Sequence, residues 1–173
     1  RFPQADSFDS WAYKRGLLHA RAGRYEQAAH SYALVGSESP LLVDAAFQLV
    51  QVKWSDASAQ MVESQRLGLL RETAEAADRV GRLVDQALTS VTNDVRRLGD
   101  LRYYRVVAAV RAAQADRERA EYEAALKRLD GLERREGVDD ALAAEIIDTR
   151  ISILEALQRT EQIEFDLKEL ARH

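Results

Sequence analysis

Apolar residues alternate at spacings of three and four over residues 67–98, and this pattern constrains the fold more than any other feature of the chain. A heptad repeat kept over more than four heptads is typical of a long helix that packs along one side against another helix. The seam consists of Leu67, Leu70, Ala74, Ala77, Gly81, Val84, Leu88, Val91, Val95 and Leu98. We therefore expect residues 56–98 to form one long helix that ends near Gly99.

Two further seams follow and predict two more long helices. The second begins at Leu101 and Tyr104, weakens between Arg111 and Glu118, and resumes at Tyr122. The third keeps a strict alternation of three and four. Its members are Leu142, Ile146, Thr149, Ile153, Ala156, Thr160, Ile163, Leu167 and Leu170.

Gly99 and Gly137 mark the expected breaks between these helices, and Asp139 or Asp140 is expected to cap the last one. The three segments, of roughly 43, 37 and 33 residues, would be about 65, 55 and 50 Å long. Such similar lengths predict antiparallel packing in a coiled coil or three-helix bundle. A competing interpretation ignores Gly99 and makes one helix of roughly 80 residues, about 120 Å long. The phase of the apolar stripe changes at Gly99, so we favour the break.

The composition supports an all-α fold. The 173 residues include only 8 glycines and 2 prolines, and Ala, Leu, Glu and Arg, which favour helices, are abundant. Cysteine is absent, which excludes a disulfide framework, a zinc-thiolate site and a cysteine nucleophile.

The first 55 residues read as a separate head made of shorter helices. We expect helices over residues 8–22 and 25–35, with Gly23 as the left-handed residue that ends the first of them. Ser39 and Pro40 are expected to begin a third helix. The predicted organisation is therefore a helical head over residues 1–55 and a long-helix arm over residues 56–173.

Residues 9–40 resemble a tetratricopeptide (TPR) repeat, a 34-residue helix-turn-helix unit. The resemblance depends on Gly16, Gly23, Tyr25, Ala28, Tyr32 and Pro40, which occupy the crossing, turn, aromatic and exit positions of the unit. The sequence departs from the family at Ala12, Arg15, His19 and Val35, where Trp, Leu, Tyr and Ala are usual. Residues 41–72 resemble a second, degenerate unit.

This resemblance implies a scaffold that binds a peptide or a helix along the face of the first helix of each repeat. Carried over by position, the candidate partner groove consists of Tyr13, Leu17, Arg21, Leu42, Ala45, Leu49, Val52 and Lys53. The groove lacks the paired Lys and Asn side chains with which some TPR domains hold a terminal carboxylate. One and a half repeats cannot bury their own faces. The groove could therefore be filled instead by the long helices of the chain or by further repeats.

No combination of residues predicts catalysis or a bound cofactor. His19, His30 and His173 have no HExxH, HxH or cysteine context, so no metal site is expected. The glycines are isolated, which argues against a phosphate-binding loop, and no nucleophile motif is present. We expect a protein that is not an enzyme and that carries no cofactor.

Charge and hydropathy narrow the classes of partner. The chain has 25 basic and 29 acidic residues, a net charge of −4, and its charges of both signs are interleaved, which argues against nucleic acid binding. The longest apolar run, residues 106–110, is too short for a membrane span. The chain begins at Arg1, so we expect it to be a piece of a larger protein. Residues 39–49 resemble junctions in TPR proteins of the bacterial cell envelope, which implies a periplasmic or envelope location and leaves the cytoplasm open.

Two hypotheses for function remain. In the first, the chain is an adaptor in a bacterial multi-protein assembly, with a TPR-like groove and a coiled-coil arm. In the second, it is a structural or oligomerisation module, a homo-oligomer whose heptad seams pair between chains. Packing of Leu88, Val91, Ile146 and Ile153 within one chain would favour the first.

Overall fold

A computed structural model describes residues 5–91 and 93–170, which contain eight α-helices, one short 3-10 helix and no strand. The prediction of an all-α fold is confirmed. His173 lies outside the described residues. The helices are α1 (Ala5–Arg21), α2 (Tyr25–Ala33), α3 (Leu42–Ala59), α4 (Glu63–Ser90), α5 (Val95–Glu118), α6 (Tyr122–Leu129), α7 (Asp140–Ala156) and α8 (Thr160–Leu170), with the 3-10 helix at Leu132–Arg134.

The helices form a series of hairpins. Each odd-numbered helix packs on the even-numbered helix that follows it, and α2, α4 and α6 also pack on the next odd-numbered helix. In addition, α3 contacts α5 and α5 contacts α7. Each interior hairpin is therefore covered by its neighbours, as in a helical repeat array.

Three of the four hairpins are closed by the same turn. Gly23, Ala120 and Gln158 each adopt a left-handed conformation, with φ of 68°, 59° and 59°. In every case the amide of the next residue donates to the carbonyl five residues earlier, at 2.8 to 2.9 Å, and the left-handed residue donates to the carbonyl three earlier. This pair of bonds satisfies the last carbonyls of the odd-numbered helix. The left-handed turn predicted at Gly23 is confirmed, and it recurs twice.

The break expected at Gly99 is wrong. Gly99 lies inside α5, and the boundary between the two helices comes earlier, since α4 ends at Ser90 and α5 begins at Val95. The Asp94 carboxylate caps α5 by accepting a bond from the Arg97 amide at 2.9 Å. Val95, a seam residue by spacing, is exposed. The alternation therefore continued by coincidence past the end of α4, and the shift of phase seen at Gly99 is the result of the earlier boundary between α4 and α5.

The other two long segments are also divided. The weak part of the second seam, between Arg111 and Glu118, is the last part of α5, and the chain turns directly after it at residues 119–121. The third seam is interrupted by the turn at residues 157–159. Asp139 caps α7 as predicted, because its carboxylate accepts a bond from the Leu142 amide at 2.8 Å. The boundary expected after residue 55 falls within α3, which continues to Ala59.

Most of the apolar seam residues pack inside the chain, although Leu67, Val95 and Leu167 are exposed. One cluster joins α3, α4 and α5, and includes Leu70, Val80 and Val84, with Leu88 and Val91 packed against it. A second cluster joins α5, α6 and α7 and buries Ile146 and Ile153. The hydrophobic faces of the longest helices therefore meet each other rather than solvent.

The first hairpin closes through Gly16 and Tyr32. A Cβ atom at Gly16 would lie 2.5 Å from Cε1 of the Tyr32 ring, so only glycine permits this crossing of α1 and α2. The Tyr32 ring is buried in a cluster with Ala12, Ala28 and Val52, and its centroid lies 5.8 Å from that of Tyr13. Gly16 and Tyr32, which the resemblance assigns to the crossing and aromatic positions, thus contact each other directly.

We predict that Gly16→Ala destabilises the fold by about 1–3 kcal/mol, because the new methyl group must displace a packed ring. Gly68→Ala is the matched control, since a Cβ at this helical position has nothing within 4 Å. That control should raise the free energy of unfolding by about 0.5–1 kcal/mol. Urea denaturation of the two variants measures both effects, and equal stabilisation by both would contradict the close crossing.

We predict that Tyr32→Phe stabilises the protein by about 1 kcal/mol at neutral pH, since its buried hydroxyl has no hydrogen-bond partner in the described part of the chain. Burial raises the pKa of Tyr32 to about 12, whereas the unfolded value is about 10. The unfolded chain therefore loses its proton first, and the free energy of unfolding contributed by Tyr32 falls as the pH rises from about 10 to about 12.

Urea titrations at pH 7 and at pH values between about 10 and 12 should show a smaller alkaline loss of stability in Tyr32→Phe than in the wild type. Tyr103→Phe is the control, because its side chain is exposed. A loss of stability in Tyr32→Phe at pH 7 would show that the hydroxyl has a partner.

Candidate protein-interaction face

The odd-numbered helices contact one another through a row of polar and aromatic side chains, which we call the odd-helix face. Asp44, in the first turn of α3, is the centre of its first part. Both carboxylate oxygens accept bonds from the Arg97 guanidinium of α5, at 2.9 and 2.7 Å, and the Tyr104 hydroxyl donates to the same carboxylate at 3.0 Å. This bidentate geometry fixes the position of α5 along α3.

Asp44 shifts the pKa of the groups around it. The hydrogen bonds that Arg97 donates to Asp44 raise the pKa of Arg97, which stays charged. Burial, followed by the negative charge of Asp44, raises the pKa of both Tyr104 and Tyr13. Since Tyr13 belongs to α1, the field of Asp44 reaches the first three odd-numbered helices.

Aromatic rings lie beside this ion pair. Phe47 of α3 stacks on Tyr104, with centroids 4.1 Å apart and planes inclined by 13°. Tyr103 approaches Phe47 edge-on at 6.3 Å and is exposed. The N-terminal half of α5 therefore covers the start of α3 and presents Tyr103 to solvent.

The odd-helix face continues toward the C-terminal end of α3, where a second pair of side chains joins α3 to α5. The Arg111 guanidinium lies 5.8 Å from the centre of the Trp54 ring, within the distance of a cation–π contact.

Between α5 and α7 the contacts are hydrogen bonds. Arg111 and Gln114 donate to the Glu145 carboxylate at 2.8 and 3.1 Å, and Arg117 donates to the Ser152 hydroxyl at 3.1 Å. Partners in α5 and α7 are 31 to 35 residues apart in sequence. This separation is close to the length of a TPR unit.

The predicted groove is only partly a surface. Tyr13, Leu17, Ala45, Leu49 and Val52 belong to one cluster with α2. Within it, Ala45 and Val52 are 1% and 4% exposed, which corrects their assignment to a partner groove. They are buried because this side of α3 packs on Ala28 and Tyr32 of α2.

The remaining groove residues keep some access to solvent. Leu42 is half-buried, and Lys53 forms an ion pair with Glu72 of α4. Arg21 is exposed at the C-terminal end of α1. The structure thus brings most of the predicted residues together but leaves Arg21 as the one whose side chain is most accessible.

Sequence reasoning missed the α5 and α7 parts of the face, although a signal was present. The string YEQA at residues 25–28 recurs as YEAA at residues 122–125, and each string starts two residues after a left-handed turn residue. Aligned on these turns, Gly16, Ala28 and Tyr32 correspond to Ala113, Ala125 and Leu129, which are also buried. Recognition of this repeat would have identified α5 as a further odd-numbered helix.

The described side chains do not assemble a metal site, since no group of three or more His, Asp or Glu residues converges among them. A cleft of about 660 Å³ lies among α6, α7 and α8 and is lined by charges of both signs, including Lys127, Asp130, Arg159 and Glu161. Among residues 5–91 and 93–170, no helix combines the length and hydropathy that a membrane crossing requires.

Comparisons with known proteins found no protein-family model, no curated protein and no solved structure that matches this chain.

We predict that the Asp44–Arg97 pair is a structural clamp. Asp44→Ala should lower the free energy of unfolding by about 1–3 kcal/mol, because it leaves a half-buried guanidinium without its partner. Glu75→Ala, which removes the exposed Arg71–Glu75 pair, should cost less than about 0.5 kcal/mol.

A double-mutant cycle with Arg97→Ala separates the pair from other effects of Asp44, including its place at the start of α3. We expect a coupling free energy of about 1 kcal/mol or more. Additive losses in the cycle would contradict the clamp.

Proposed function

We propose that this chain is a non-enzymatic, TPR-like interaction scaffold, an adaptor in a bacterial multi-protein assembly. The observation that carries the proposal is the turn repeated at Gly23, Ala120 and Gln158, because it divides most of the chain into hairpins of one construction. The separation of up to 35 residues between partners in α5 and α7 supports the same repeat type. Such hairpins serve to present helix faces to other proteins.

The long helices α4 and α5, which pack on each other, would serve as the coiled-coil arm. Phe47 and Tyr104, and likewise Trp54 and Arg111, contact across 57 residues, which is about 23 residues more than one TPR unit. The additional chain lies in α4 and in the N-terminal half of α5. Because the apolar sides of α4 and α5 are buried against each other, pairing of their seams between chains would require the two helices to separate.

The odd-helix face is the surface we assign to a peptide or helical partner. It offers an exposed tyrosine, Tyr103, and an exposed arginine, Arg21. Tyr and Arg are the residue types that contribute most often to binding energy at protein interfaces.

A displayed library of short peptides, selected on the 173-residue chain, tests this assignment. The dissociation constant of a selected peptide is then measured by fluorescence polarisation for the wild type and for variants. We expect Tyr103→Ala and Arg21→Glu each to weaken binding about tenfold or more.

Arg79→Glu is the matched control, since Arg79 is an exposed arginine on α4 and α4 is not part of the odd-helix face. It should leave the dissociation constant within about twofold. The proposal is contradicted if no peptide is selected, or if the selected peptides bind the two face variants as tightly as the wild type.

A further inference from the structure

The first helix carries an apolar stripe that nothing in the described chain covers. Phe8, Trp11 and Leu18 follow one side of α1, and Trp11 and Leu18 are 50% and 64% exposed. The rings of Phe8 and Trp11 are 5.8 Å apart, and the Arg15 guanidinium lies 5.1 Å from the Trp11 ring. Large apolar side chains grouped in this way on a surface mark an interaction site.

The repeated turn shows what packs on this side of an odd-numbered helix. When the turns at Gly23 and Ala120 are superposed in sequence, three positions of the α1 stripe have counterparts in α5. Trp11, Arg15 and Leu18 correspond to Ala108, Ala112 and Ala115. The three alanines are fully buried in the cluster that α5 shares with α4. The α1 stripe is therefore the side on which a preceding even-numbered helix would pack.

The last described helix, α8, packs on fewer neighbours than the other even-numbered helices. Each of α2, α4 and α6 packs both on its own hairpin partner and on the next odd-numbered helix. Among the described helices, α8 packs on α7 and on no other to a comparable extent. Its Leu167 is 49% exposed. Among the described helices, α1 thus has no even-numbered helix packed on its stripe, and α8 has no odd-numbered helix beyond α7 packed on it.

The two ends also have opposite charge. Between residues 10 and 25 the chain has no acidic residue and carries four exposed cations, Lys14, Arg15, Arg21 and Arg24. The α8 segment contains four acidic residues and one lysine, and Glu161 and Glu164 are exposed. In a chain whose overall charge is −4, this segregation favours contact between α1 of one copy and α8 of another.

We propose that copies of this chain associate head to tail, with α8 of one copy packed on the Phe8, Trp11 and Leu18 stripe of the next. In this arrangement α8 has the place on α1 that α4 has on α5 within the chain. The interface joins two different surfaces, so it leaves a free α1 and a free α8 at the ends of every open assembly. It does not involve the α3, α5 and α7 parts of the odd-helix face or the first two heptad seams, and from the third seam it uses Leu167.

Sedimentation velocity over about 1 µM to 1 mM, a range that covers weak to moderate affinities, tests the association. The mean mass of the wild type should rise with concentration above the 19.5 kDa of one chain. The rise should be smaller in high salt, which screens the charges. Trp11→Glu and Leu167→Glu should each remain monomeric. Met61→Glu is the control, because Met61 is 96% exposed and lies in the loop between α3 and α4.

Mixing the two defective variants distinguishes head-to-tail contact from other modes. Trp11→Glu retains an intact α8 surface, and Leu167→Glu retains an intact α1 stripe. Their equimolar mixture should therefore form a dimer of 39 kDa, twice the mass of one chain, and no larger species. Leu18→Glu replaces Trp11→Glu if circular dichroism shows that the latter is unfolded.

Three results would overturn the proposal. One is a wild type that stays at 19.5 kDa over the whole range. Another is a wild-type oligomer that Leu167→Glu leaves intact, which would indicate pairing of α1 with α1. The third is a mixture of the two variants that stays monomeric although the wild type associates.

Discussion

The left-handed turn that closes three of the hairpins is the constraint on which the rest of this structure depends. Its two hydrogen bonds reverse the chain within three residues, so the apolar face of each odd-numbered helix meets the even-numbered helix at once. Glycine adopts this conformation without strain at residue 23. At Ala120 and Gln158 it costs about 1 kcal/mol each. Burial of Ala125 and Leu129, five and nine residues beyond Ala120, offsets that cost.

Once the hairpins are closed, contacts between odd-numbered helices set the spacing of the array. Asp44 holds Arg97 and Tyr104, and Glu145 holds Arg111 and Gln114. These groups are partly buried, so their hydrogen bonds are stronger and more directional than those of a surface ion pair. The apolar clusters provide the buried hydrophobic area, while the charged pairs fix the position of each hairpin along the next one.

Particular elements show how far prediction from the sequence reaches. Gly23 and Asp139 were identified as a turn and a cap because their local chemistry permits little else. Gly99 was assigned to a turn on the phase of the apolar stripe, yet it lies in α5, because a helix interior tolerates one glycine at a cost of about 1 kcal/mol. The turns at Ala120 and Gln158 carry no glycine, so residue type alone did not predict them. Ala45 and Val52 match groove positions by spacing, but α2 covers them.

Periodicity and composition were sufficient to establish an all-helical chain and a first hairpin closed at Gly23, since these features follow from interactions within a few residues. They did not establish the ends of the longer helices, the pairing of α3 with α5 and of α5 with α7, or the division of apolar residues between buried and accessible faces. Those features rest on contacts such as Asp44 with Arg97, across 53 residues. The energy of such contacts depends on which surfaces meet in three dimensions. The spacing of three and four between apolar residues is the same in the sequence whether the apolar side of a helix packs on another helix or faces solvent.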